Sequence, residues 1–115
     1  MSRVKRGLAT KKRHKKLLKQ TKGFWGQRKN IFKRAKETLM RAMAFAFKGR
    51  KLKKRDMRAL FISRISAASV QNGISYNKFM HGLKLANIEL NRKMLSQISI
   101  FDPKVFSKLA EISKG

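Results

Sequence analysis

The sequence predicts an all-α protein in which a long basic helical N-terminal arm continues into a small globular helical C-terminal domain. The first reason is charge: residues 1–58 hold 23 Lys and Arg against two acidic residues, whereas residues 59–115 hold eight against three. The second is that apolar residues between Met57 and Ala68 recur at helical spacing. The third is that no segment alternates like a half-buried strand. We therefore predict a basic extension, residues 1–58, and a globular domain, residues 59–115.

The arm begins with an irregular lead, followed by a helix predicted from Lys11 to about Thr21 with Thr10 as its cap. Only Leu17 and Leu18 are apolar in this helix. Like charges four residues apart oppose a helix in water, so we expect it to become ordered on binding.

A break follows the first helix, where Gly23 and Gly26 frame the aromatic residues Phe24 and Trp25. This pattern predicts a tight bend with exposed or half-buried rings. Two interpretations of Trp25 stay open, since its ring could pack against its own helices or stack on a nucleic-acid base.

Helical periodicity then resumes and predicts one long helix from about Asn30 to Asn72, roughly 60 Å long. Gly49 is its candidate point of bending, because Gly weakens a helix interior by about 1 kcal/mol relative to Ala. Two apolar stripes lie on this helix: Phe32, Ala35, Leu39, Met43 and Ala46 in the arm, and Met57, Leu60, Phe61, Ile65 and Ala68 in the domain.

The C-terminal helices are defined by their boundaries. Asn72-Gly73 predicts a stop with Gly73 in the left-handed conformation, and Ser75 and Asn91 are predicted N-caps. Asp102-Pro103 predicts the start of a last helix. The predicted core residues of the three helices are Tyr76, Phe79, Met80, Leu83 and Ala86; Met94, Leu95 and Ile98; and Val105, Phe106, Leu109 and Ile112.

Composition argues against catalysis, metal binding and secretion. The chain has no Cys, its five carboxylates are scattered, and neither His14 nor His81 has neighbours that would complete a metal site. We therefore predict no enzyme activity, cofactor or metal, and interpret His14 as a solvated or phosphate-facing side chain. The basic N-terminus lacks the apolar run of a secretory signal, although an organellar transit peptide stays open. No apolar stretch is long enough for a membrane span.

The charge of the arm points to a polyanion. The arm holds 23 basic and two acidic residues, a net charge of +21 out of +26 for the whole chain, and such a charge is self-repelling unless it is neutralised. Phosphate contacts drive binding by releasing counterions. Aromatic residues among the cations favour RNA, whose splayed bases stack on rings. The alternatives are a histone-like DNA coat, a membrane-active cationic polypeptide and a merely solvated charged surface.

The apolar stripe of the arm has two interpretations. It packs on the first helix, which offers little beyond Leu17 and Leu18, or it contacts a neighbouring protein. Phe32, Leu39 and Met43 are the candidate protein-contact residues.

Eight segments together resemble one known family. With x for a position that carries no resemblance, they are residues 3–7 (RVKRG), 13–16 (RHKK), 22–26 (KGFxG), 54–58 (KRDxR), 62–67 (IxRIxA), 71–76 (QNGxSY), 82–84 (GLK) and 88–93 (IELxRK). In this order the chain is similar over its whole length to the bacterial-type large-subunit ribosomal protein L-twenty family. It departs from the family pattern at Trp25, Gly49 and Phe61.

The resemblance implies a structural constituent of the large ribosomal subunit that binds rRNA directly and is needed for assembly. It also implies neighbouring large-subunit proteins as partners, and a cytoplasmic bacterial or plastid-type organellar ribosome as the location. The candidate rRNA-binding residues are Arg3, Lys5, Arg6, Lys11, Lys12, Arg13, His14, Lys15, Lys16, Lys19, Lys22, Phe24, Trp25, Arg28, Lys29, Arg34, Arg41, Lys48, Arg50, Lys51, Lys53, Lys54, Arg55, Arg58 and Arg64.

Overall fold

The computed structural model describes residues 2–115, and these residues form five α-helices, one 3-10 helix and no strand. The elements are α1 (Gly7–Gln20), the 3-10 helix (Gly26–Lys29), α2 (Phe32–Gln71), α3 (Tyr76–Leu85), α4 (Arg92–Phe101) and α5 (Pro103–Lys114). The all-α prediction, with a long helix leading to a helical domain, is confirmed. Contacts divide the chain into two compact units, one ending at Arg50 and one beginning at Lys51. The functional boundary at residues 58 and 59 stays a prediction.

Helix α1 begins at Gly7, which is earlier than the predicted start at Lys11. The predicted cap at Thr10 is wrong: Thr10 lies inside the helix, and its N–H donates to the Arg6 carbonyl at 3.1 Å. Leu8 and Ala9 favour helix, so the helix extends toward the N-terminus until Gly7.

Helix α2 confirms the predicted long helix to within two residues at its start and one at its end. Gly49 is part of this helix. The helix stops as predicted, with Gly73 at a φ of 73°. The N–H of Gly73 donates to the Val70 carbonyl at 3.0 Å, and that of Ile74 donates to the Ser69 carbonyl at 3.1 Å. These two bonds form a Schellman motif, and the burial of Ile74 completes it.

The second unit has a continuous apolar core. It contains Ile65, Ile74, Phe79, Leu83, Leu95, Phe106, Leu109 and Ala110. The rings of Phe79 and Phe106 stack with centroids 4.9 Å apart. Helices α3 and α5 approach closely at Gly82, where an added Cβ would lie 2.1 Å from the Ser113 carbonyl oxygen. Glycine at this position is therefore required by packing.

The predicted caps of the short helices are confirmed in position, but only one makes its side-chain hydrogen bond. Asn91 Oδ1 accepts from the Met94 N–H at 2.8 Å, whereas Ser75 and Asp102 make no such bond. Pro103 occupies the first turn of α5 as predicted.

Several predicted core residues are exposed, and those predictions are wrong. Val105 and Ile112 are 45% and 51% exposed, because α5 turns Phe106, Leu109 and Ala110 to the core instead. The other predicted core residues that are exposed are Met57, Leu60, Ala86 and Met94. A sequence stripe gives the period of a helix but leaves the centre of its buried face uncertain by one residue.

Candidate nucleic-acid interface

Every Lys and Arg between Arg3 and Arg58 is exposed, which makes 23 accessible cations. Only two carboxylates, Glu37 and Asp56, lie in the same stretch. Each cation can therefore reach a phosphate without first leaving a buried site. The candidate rRNA-binding cations of the arm all belong to this set.

The two sides of helix α1 differ in chemistry. Lys12, Lys15 and Lys19 are exposed and share one face by their spacing. On the opposite side, His14, Leu17 and Leu18 are half-buried. The outer face is therefore the one available to a phosphate backbone.

His14 lies in a ring stack within the first unit. Its imidazole stacks on the Phe32 ring with centroids 3.8 Å apart and an angle of 15° between the planes. This contact joins α1 to the first turn of α2. The structure therefore gives His14 a packing role in addition to its candidate place in the rRNA-binding set.

A groove runs between α1 and the beginning of α2. Three half-buried apolar side chains line it, Leu17, Phe32 and Leu39. Three exposed cations, Arg13, Lys16 and Lys36, and the neutral Gln20 complete the lining. For Phe32 and Leu39, the groove supports the prediction that the apolar stripe packs on the first helix, since both residues line it together with residues of α1.

The predicted bend between α1 and α2 is confirmed. Gly23 and Gly26 have φ of 84° and 58°, which is the left-handed region that favours glycine. Thr21 is fully buried, and its hydroxyl lies 3.2 Å from the Leu18 carbonyl and 3.4 Å from the Lys29 carbonyl. Thr21 therefore links the end of α1 to the 3-10 helix.

The two aromatic residues of the bend differ in exposure. Phe24 is half-buried, whereas Trp25 is 90% exposed. Packing of Trp25 against its own helices is therefore not what the structure shows, and the ring is available to a partner.

A second concavity brings together one arginine of the 3-10 helix and two of α2. Arg28, Arg34 and Arg41 line it, together with Glu37 and Thr38. Arg34 Nη1 donates to Gln27 Oε1, which links the 3-10 helix to α2. The spacing of residues 34, 38 and 41 places them on one side of α2 and so indicates their clustering, but no pattern in the sequence indicates the contact with Gln27.

The remaining candidate cations lie farther along α2. Lys48, Arg50, Lys51, Lys53, Lys54, Arg55 and Arg58 are exposed, as is Arg64. Arg64 directly precedes the buried Ile65, so it lies beside the core of the second unit with its own side chain in solvent.

The candidate protein-contact residues divide into two groups. Phe32 and Leu39 are half-buried in the groove, whereas Met43 is 56% exposed. Met40 and Phe47, which are not among the predicted contact residues, are 57% and 58% exposed. Their spacing from Met43, three and four residues, places the three side chains on one helix face.

Within residues 2–115, no three His, Asp or Glu side chains are arranged to hold a metal ion. Over the same residues, no helix is both long enough and apolar enough to span a membrane.

Fold and surface together define a class: α-helical proteins with an exposed cationic extension joined to a small helical domain. A family model described as "Ribosomal protein L20" matches residues 3–109, and the chain belongs to this family. It is 58% identical over 114 residues to the "Large ribosomal subunit protein bL20" of Clostridium novyi (strain NT), covering 99% of this chain and 96% of the relative. Proteins with the same description from Clostridium tetani (strain Massachusetts / E88) and Clostridium botulinum (strain Hall / ATCC 3502 / NCTC 13319 / Type A) are 56% and 54% identical over the same shares.

Proposed function

We propose that this chain is a structural constituent of the large ribosomal subunit, that it binds large-subunit rRNA directly through its basic extension, and that subunit assembly needs it. Family membership and the description of the relatives support the ribosomal role. The relatives come from Clostridium, which favours the cytoplasmic ribosome of a bacterium over an organellar one.

The observation that carries the rRNA-binding proposal is the exposure of all 23 cations between Arg3 and Arg58. Such a surface gains free energy from releasing the counterions condensed on a nucleic acid. A folded RNA offers several phosphate paths close together, which suits cations spread over a long stretch of chain.

In the proposed mechanism, different parts of the extension neutralise phosphates of different rRNA segments and so hold those segments together. The outer face of α1, the concavity of Arg28, Arg34 and Arg41, and the cations of residues 48–58 are three such parts. Because the extension repels itself when free, we expect its order to increase when rRNA folds around it.

We also propose that the exposed apolar face of Met40, Met43 and Phe47 contacts a neighbouring large-subunit protein. Three large apolar side chains exposed together on a strongly charged extension support this. Met43→Glu should weaken incorporation of that neighbour into subunits reconstituted in vitro. Unchanged incorporation of every neighbouring protein would contradict the contact.

The test of rRNA binding is a footprint of the full chain on naked large-subunit rRNA over a salt series, with bulk tRNA as competitor. We expect a compact set of protected segments that survives the competitor. The logarithm of the affinity should fall with the logarithm of the salt concentration by about 0.7 to 0.9 per phosphate contacted. Diffuse protection that tRNA removes, or an affinity insensitive to salt, would contradict the proposal.

Two charge-matched variants sharpen this test. In one, Lys12, Lys15 and Lys19 on the outer face of α1 are replaced by Glu; in the other, Lys93, Lys104 and Lys108 of the second unit are replaced by Glu. All six side chains are exposed, and both variants change the net charge equally. The α1 variant should lose specific protection and reduce the salt slope, whereas the control should retain both. Equal losses would show that net charge alone drives binding.

A further inference from the structure

Among residues 2–115, Trp25 is the large apolar side chain with the highest exposed fraction, 90%. It is also the only Trp in the sequence. An indole that its own protein leaves in water gives up the burial that such a large ring can gain. Its exposure therefore indicates a partner that covers it.

The backbone that presents Trp25 is held in place by contacts on both sides. Gly23 and Gly26 have left-handed φ, and the N–H of Phe24 donates to the Thr21 carbonyl at 3.1 Å. The buried hydroxyl of Thr21 reaches the carbonyls of both ends of the bend. These contacts define the backbone of the bend, and from it the Trp25 ring extends into solvent.

The surroundings of Trp25 identify the chemistry of its partner. Lys22, Arg28 and Lys29 are exposed close to it in sequence, and residues 2–36 contain no acidic side chain. An indole among cations matches a nucleotide, in which a flat base and a phosphate lie next to each other. Bases inside a helix are already stacked, so only an unpaired base is free to accept the ring.

We propose that Trp25 is a stacking platform for one unpaired base of the rRNA, and that Lys22, Arg28 and Lys29 hold the phosphates on either side of that base. This inference rests on the proposed rRNA binding. It adds a contact that recognises a single-stranded nucleotide, which phosphate contacts alone do not do.

The first experiment uses the fluorescence of the single Trp in the full chain, excited at the red edge of its absorption, where the single Tyr76 contributes little. The probes are naked large-subunit rRNA of a Clostridium relative and a fully paired RNA duplex. Stacking on a base should strongly quench Trp25 on the rRNA, and the duplex should leave its emission nearly unchanged at equal occupancy. Equal emission on both RNAs would overturn the inference.

The second experiment separates stacking from charge by its salt dependence. Trp25→Ala should weaken rRNA binding by roughly 5- to 150-fold, the range for one stacked base, without changing the salt slope, because no phosphate contact is lost. Trp25→Phe should restore most of the affinity. Lys29→Ala should instead lower the slope by about 0.7 to 0.9.

The outcomes distinguish this inference from the proposed function. If rRNA binds with its salt slope intact while Trp25→Ala has full affinity and no quenching occurs, the stacking platform is wrong and rRNA binding stands. If Trp25 changes emission only when other subunit proteins are added to the rRNA, the partner is a protein pocket, and the inference is again wrong. If no specific rRNA binding occurs with the unaltered chain, the proposed function itself fails.

Discussion

The two units of the chain differ in what holds them together. In residues 51–115, apolar residues from α2 to α5 are buried around the stacked rings of Phe79 and Phe106. In residues 2–50, only Thr21 and Ala35 are buried. The second unit therefore gains its stability from a core of its own. The first is held by local helices, by the stack of His14 on Phe32 and by hydrogen bonds at the bend.

This difference shows how one short chain serves two physical tasks. A domain of about 60 residues is only marginally stable. Its core therefore cannot also offset the charge repulsion within a densely charged extension. The extension keeps its cations accessible and leaves their neutralisation to a partner. Mutations should accordingly act through unfolding in the second unit and through binding in the first.

The largest expected effect comes from one substitution made in both units, Phe106→Ala and Phe45→Ala. Phe106 is 1% exposed, whereas Phe45 is 62% exposed. Truncating a buried Phe should reduce the free energy of unfolding by about 3–5 kcal/mol, because it removes burial and leaves a cavity. The exposed Phe45 should change it by less than about 0.5 kcal/mol. Urea denaturation of the full chain, followed by far-UV circular dichroism, measures both.

The comparison would break if the two Phe variants were destabilised equally. That result would mean that the first unit also depends on apolar burial, which its exposed side chains do not indicate.

The second prediction uses Gly→Ala, which should have opposite signs in the two units. At Gly82 the new Cβ would lie 2.1 Å from the Ser113 carbonyl oxygen, and the backbone must move apart. Overpacking of this kind costs about 1–3 kcal/mol, occasionally more. At Gly49 the new Cβ would meet nothing within 4 Å, so Ala should stabilise the helix by up to about 1 kcal/mol.

Thermal unfolding measures the Gly82 variant, and amide hydrogen exchange around residue 49 measures the other. A Gly82→Ala variant with unchanged stability would show that α3 and α5 can separate at no cost, which contradicts their close packing.

The sequence was sufficient to predict the elements of this fold whose signals are local. The long helix up to Gly73, the bend at Gly23 to Gly26 and the cap at Asn91 all follow from residue types at fixed positions. The exposure of the cations of residues 3–58 could likewise be predicted, since so many charges have no buried alternative.

Features that depend on distant contacts could not be predicted in this way. The centre of the buried face of α5 is set by the helices it packs against, so the predicted burial of Val105 and Ile112 is wrong. The stack of His14 on Phe32 and the reach of Thr21 to Lys29 join residues that no sequence pattern pairs. Local chemistry predicts an element, but its partners decide which side chains it hides.

The smallest effects are expected from removing one buried hydroxyl in each unit. Thr21 Oγ1 reaches the Leu18 and Lys29 carbonyls, whereas Ser96 Oγ is buried without a hydrogen-bond partner among the described residues. Thr21→Val should therefore cost about 1 kcal/mol locally and speed the exchange of the Phe24 N–H several-fold. Ser96→Ala should leave the free energy of unfolding unchanged or raise it by up to about 1 kcal/mol, because it removes an unsatisfied polar group. If Ser96→Ala were instead the more damaging change, the second unit would rely on a polar contact, and the contrast between a core-stabilised unit and a hydrogen-bonded one would no longer hold.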